Sequence, residues 1–151
     1  MASTIEIQLT TRQEFILSVI ALQGENASLT PVQVQKLFFL LDMKIPSEVG
    51  GPYFAFEPYD YGPFDATVYR DLESLALRGL AFIGSSNGTR QYKLSDHGYQ
   101  LGFSKSASFP DNVKAYISRL GSFVRSLSFA ELVSSIYKEF PDMKRNSIFQ
   151  G

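Results

Sequence analysis

The stretch "FEPYDYGPFDATVYRDLESLALRGLAFI", Phe56 to Ile83, decides the fold. An aromatic loop runs through Gly62-Pro63 into a segment that carries Phe64, Val68, Leu72 and Leu75 on one helical face, and Gly79 supplies the left-handed residue at which a helix ends. Pro63 has the fixed φ of a first helical position and Gly62 permits a tight approach, so the spacing predicts a helix from about Pro63 to Arg78. Beyond it, "LAFIG" and "RQYKLS" flank "SSNGT", an Asn-Gly turn between two short strands.

Upstream, "TTRQEFILSVIALQG" places Phe15, Val19 and Leu22 at helical spacing, with Thr11 as N-cap, Glu14 three residues on and Gly24 as the stop. "LTPVQVQKLFFLLDMKIP" repeats the pattern: Thr30 caps, Pro31 takes the first position, and Val34, Leu37, Phe38 and Leu41 form the apolar stripe. Between Ile45 and Pro63 the chain holds four Pro and three Gly, a composition that rules out regular helix and marks a long connection. Downstream, Ser95 caps "DHGYQLG", Pro110 or Asp111 opens the next helix, and Ser128 with Glu131 makes a capping box before a last helix closed by Pro141. "DMKRNSIFQG" follows as a short tail.

Three helices followed by a hairpin is the order of a winged helix. The expected fold is therefore mainly helical (α+β): a winged-helix-like three-helix core over about residues 10–95 with a two-stranded hairpin, then C-terminal helices over about 96–140. No repeat or linker divides residues 1–151, so a single domain is expected.

With 44% hydrophobic and 19% charged residues the composition is that of a globular chain. Fourteen Lys and Arg against 15 Asp and Glu leave a formal charge of −1, too balanced to draw nucleic acid, anionic membrane or acidic substrate by field alone. Zero Cys removes disulfides, thiolate nucleophiles and Cys-ligated zinc. The start "MASTIEIQLTTRQEF" lacks the order of a secretory signal, and "LFFLL", Leu37–Leu41, is too short to span a bilayer, which sets the cytoplasm as the expected location.

"VQVQKLFFLLD", Val32–Asp42, followed by "YGPFDATVYRDLESL", Tyr61–Leu75, resembles the SocA-like, or Panacea, antitoxin domain, whose sequences carry a Gln-Lys-Leu-aromatic helix and then a Gly-Pro motif before a Tyr-bearing helix. "YKEFPDMKRNS", Tyr137–Ser147, is similar to the family's C-terminal region. Where the family has Trp before Gly-Pro, this chain has Tyr59 and Tyr61. The resemblance implies a module that holds another protein: an antitoxin, toxin-antitoxin or phage-associated, that neutralises a toxin or delivers it to a protease.

The residues fit such a role. Tyr53, Phe54, Phe56, Tyr59, Tyr61 and Phe64 crowd into twelve positions, and Tyr anchors interface cores. As an extended segment, alternate rings would instead point into the core, leaving Tyr59 and Tyr61, beside Asp60, as the rings expected outside. Tyr69, Arg70 and Glu73 sit off the Val68/Leu72 stripe and would form a polar rim. The candidate partner-binding set is thus Tyr53, Phe56, Tyr59, Asp60, Tyr61, Tyr69, Arg70 and Glu73, joined by Gln35 and Lys36 through their place in "QKLFF", with Gly62, Pro63 and Gly79 structural. A lone Lys on an amphipathic helix is ordinarily solvated. An aromatic surface of this kind also suits a homo-oligomer seam, or a subunit contact in a larger defence or phage-associated complex that the tail "MKRNSIF" would join as a docking segment.

A DNA-binding regulator is the alternative, with Arg70, Arg78 and Arg90 as its local patch. The predicted third helix, however, sets Arg70 and Arg78 against Asp65, Asp71 and Glu73, the wrong sign for phosphate. Enzymatic chemistry finds little support. His97 is the sole imidazole, Glu57 with Asp60 is the nearest thing to a metal pair, and no Walker, Gly-x-Ser-x-Gly or His-Glu-x-x-His pattern occurs. A non-catalytic module without metal or cofactor is expected.

Overall fold

The computed structural model describes residues 8–149. Residues 1–7, part of the start expected to lack a secretory signal, and the last two of the tail lie outside them. In chain order the elements are α1 (Thr11–Ala21), β1 (Ser28–Leu29), α2 (Pro31–Lys44), β2 (Glu57–Tyr59), β3 (Gly62–Phe64), α3 (Ala66–Leu77), β4 (Ala81–Ser86), β5 (Thr89–Leu94), α4 (Asp96–Ser106), α5 (Asp111–Ser126) and α6 (Phe129–Glu139). The fold is α+β, helical for the most part, with two small antiparallel sheets.

The helix starts follow capping chemistry. At α1 the cap is Thr10 rather than the expected Thr11: its hydroxyl accepts the Gln13 amide at 3.0 Å, and the Gln13 side chain accepts the Thr10 amide at 3.1 Å. Gln at the third position closes the reciprocal pair that Glu14, one residue later, would miss. Thr30 with Gln33 and Ser128 with Glu131 form the same box at α2 and α6, and Ser95 caps α4.

The third helix begins later than the sequence predicts. Gly62-Pro63 does not start it; these residues lie in β3, paired with β2 in the register Glu57 to Phe64 and Tyr59 to Gly62. Asp65 is the cap, its carboxylate accepting the Thr67 amide at 2.8 Å. A side-chain acceptor terminates the helix better than Gly-Pro starts it, and Pro63 fits a strand whose pairing needs few of its donors. Phe64 consequently leaves the helical stripe, while Val68, Leu72 and Leu75 are buried as expected. Gly79, at φ +76°, ends the segment.

The hairpin turns at Asn87 and Gly88, both left-handed (φ +53° and +79°), as a primed turn requires. The sheet has three strands, not two. Ser28 and Leu29 add to β5 opposite Lys93 and Tyr92, giving the order β1-β5-β4.

α2 sits at the centre, with Val34 and the run Leu37–Leu41 buried. Phe15 stacks on Tyr53 at 4.2 Å between ring centres, and Phe39 meets Phe56 and Phe140 edge-on. The long connection is pinned from α2: the Asp42 carboxylate accepts the amides of Tyr53 (3.0 Å) and Phe54 (2.9 Å). Burial pushes the Asp42 carboxyl above its ordinary range, and these two bonds offset part of that. Arg12 on α1 forks onto the buried Asp71 of α3 at 2.5 and 3.1 Å. α4 lies close against the first helix, because Gly102 faces the Leu17 carbonyl with no Cβ between them, and Gly98 gives the same clearance to the Leu80 carbonyl ahead of β4.

The tail is packed rather than free. Ile148 donates its amide to the Asp60 carbonyl at 3.0 Å, Ser147 donates its hydroxyl to the same oxygen at 3.2 Å, and Phe149 approaches the rings of Phe129 and Tyr137. Residues 147–149 therefore clasp the β2–β3 turn. Among the described residues, no helix is long and apolar enough to cross a membrane.

Candidate functional site

One groove of about 670 Å³ gathers most of the candidate residues. Its first wall is the N-terminal half of α2, from Thr30 to Gln33 with Gln35 and Lys36. The β2–β3 hairpin supplies Tyr59, Asp60, Tyr61, Gly62 and Phe64 opposite, Tyr69 closes one end with Thr89, and Leu127, Phe129 and Leu132 close the other. Its volume falls in the range of small-ligand and anchor-residue pockets.

The hairpin is held to α2 by two neighbouring polar residues. Gln35, only 1% exposed, accepts the Asp65 amide at 3.0 Å and donates to the Asp65 carbonyl at 2.9 Å. Lys36 is 3% exposed, against the solvated placement expected of a lone lysine. Its ammonium donates to the Pro63 carbonyl at 3.2 Å. Among the described residues no carboxylate lies within salt-bridge reach of it, and burial pushes its pKa down to about 8. Gly62 makes this arrangement possible: at φ +101° it passes over the lysine, where a Cβ would stand 3.2 Å from the Tyr137 ring and 3.7 Å from Lys36 Nζ. Gly62 and Pro63, expected to start the third helix, instead form a strand that crosses over Lys36.

The aromatic residues divide between core and surface. Tyr53 lies against Phe15, with its hydroxyl donating to the Val49 carbonyl at 2.5 Å, and Phe56 turns toward Phe39; neither reaches the groove. Tyr59 and Tyr61 are 53% and 42% exposed at its mouth. Tyr61 meets Phe129 edge-on at 5.0 Å, and Tyr59 lies against Phe64 at the same separation. Phe129, itself exposed, extends this aromatic rim from α6 and did not figure among the sequence candidates. Its role depends on a contact between Tyr61 and a residue 68 positions later, which local pattern does not encode.

Tyr69 does not join Arg70 and Glu73 in a polar rim. It turns into the groove, stacks over Tyr92 at 6.0 Å and donates to the Pro31 carbonyl at 3.2 Å. Burial first, and then the neighbouring Tyr92, pushes its phenol up to about 12. Arg70 and Glu73 remain exposed on α3. Asp60 contributes its main-chain carbonyl to the tail. Arg78 donates to the Gln8 carbonyl, and Arg90 on β5 is exposed, its guanidinium held above its ordinary value by Tyr92 first and then by Glu73 and Tyr69. Among the described residues, no three His, Cys, Asp or Glu gather where they could hold a metal ion. His97 lies exposed in the first turn of α4.

Compared with protein-family models, with curated proteins and with solved structures, the chain matches none of them.

Proposed function

We propose that the chain is a cytoplasmic, non-catalytic protein-binding module of the SocA-like antitoxin type, which holds its partner at the rim of this groove. The observation that carries the reading is the grouping of Tyr59, Tyr61 and Phe129, three solvent-facing rings drawn from two distant segments around one concave opening. Exposed aromatic rings around a cavity have the composition of an interface hot spot. The residues of the family-like motif, Gln35, Lys36, Gly62 and Pro63, underlie that surface and shape it.

The test pairs the unmodified chain with Tyr59→Ala/Tyr61→Ala as tagged bait in lysate of the native cell, with nuclease and moderate salt. A stoichiometric protein retained by the first and lost by the second, with both thermal transitions alike, supports the reading. Equal retention by both sinks the rim as the contact.

The element order of α1, β1, α2, α3 and the β4–β5 hairpin favours a second reading, a winged-helix core acting as a DNA-binding regulator. The charges on α3 oppose it, and Arg78 is engaged with the Gln8 carbonyl, while Arg90 stands exposed. This reading requires DNA retention that falls steeply with salt and weakens when Arg70 or Arg90 is replaced.

A further inference from the structure

The floor of the groove poses a question separate from its rim. Lys36 places an ammonium with three donors in a nearly sealed wall, and among the described residues only the Pro63 carbonyl accepts from it. A buried charge is costly unless paired, and among the described residues the chain brings no carboxylate within 4 Å. Asp60 lines the same groove without reaching it. The first turn of α2 runs along this wall too, and its partial positive charge has the same sign as the lysine.

Around that charge the surfaces are apolar or aromatic: Val32, Phe64, Phe129 and Leu132 face the cavity. One compact cation in an apolar chamber calls for one negative charge on an apolar body. A phosphate dianion would need more donors than a single ammonium supplies, and no arginine lines the groove to fork onto it.

We propose that the groove is a binding site for a small monocarboxylate with an aromatic or branched apolar body, its carboxylate paired with Lys36 Nζ and its body between Phe64 and Leu132. The carboxylate replaces the counter-charge the fold omits, and the body displaces water from the apolar walls. Gly62 keeps the ceiling low over the lysine, so the charged end enters first and the bulk lies toward the mouth. The site concerns the chain alone and is independent of whether a protein docks on the rim.

The experiment is calorimetric titration of the full chain with 3-phenylpropionate, 3-phenylpropanamide and inorganic phosphate as probes. The acid binds, the isosteric amide binds about tenfold to a hundredfold more weakly, and phosphate does not compete. Lys36→Met loses the preference for acid over amide while keeping its circular dichroism. The acid-to-amide ratio on the unmodified chain stands even where that variant does not fold. Equal binding of acid and amide, binding of neither, or displacement by phosphate overturns the proposal.

Discussion

Gln35 and Asp65 are joined by two opposed hydrogen bonds, 2.9 and 3.0 Å long, in which a side-chain amide on α2 pairs with the main chain ahead of α3 as a neighbouring strand would. The pair fixes the point at which β3 ends and α3 starts. The Pro63 carbonyl over Lys36 and the ring of Phe64, both at the groove, lie immediately ahead of this junction in the chain.

Gln35→Leu removes both bonds and leaves a main-chain donor and acceptor without partners in a largely buried setting. The expected loss is about 2–3 kcal/mol in urea denaturation. A loss below about 0.5 kcal/mol would mean that water replaces the side chain and that the junction is held elsewhere.

Lys36 predicts a pH dependence of definite sign. Its pKa falls from an ordinary value of 10.5 to about 8, so between these limits the unfolded chain holds the proton more often than the folded one. Stability contributed by this group therefore rises as pH climbs through that window, while below it the burial cost is constant. Relative to Lys36→Met, the unmodified chain gains on the order of 2 kcal/mol between about pH 7.5 and about pH 10. A pH-independent difference between the two denaturation series would show that the ammonium is solvated in the folded state.

Gly102→Ala tests the close approach of α4 to the first helix. A methyl there would overlap the Leu17 carbonyl, and main chain cannot move aside as a flexible side chain does. The expected cost is about 2–3 kcal/mol. Gly84→Ala on β4, where a Cβ meets nothing within 4 Å, serves as a control without a steric clash. Equal melting shifts for the two variants would argue against tight packing at this crossing.

Much of this architecture was legible in the sequence, for identifiable reasons. The stripes on α2 and α3 and the Asn87-Gly88 turn are written in local periodicity and chirality, which a single chain reveals. The start of α3 was misplaced because Gly-Pro before an apolar period signals a helix and a short strand alike. The deciding bond, Asp65 to Thr67, competes with it only three residues later. Ser28–Leu29 is too short for any period to register. At the groove, the exposure of Tyr59 and Tyr61 is signalled by polar Asp60 between them, whereas Tyr53, at the same alternation, packs on Phe15. The burial of Lys36 did not follow, since it is created by a hairpin folding over the helix from outside.

The clasp of Ile148 and Ser147 on the Asp60 carbonyl ties this segment to the hairpin, so that the two order together. Any occupant that binds more tightly when the β2–β3 turn is held must, by linkage, hold the tail in place by the same factor. Residues 147–149 would then tune the groove's affinity from outside it, through the turn they hold.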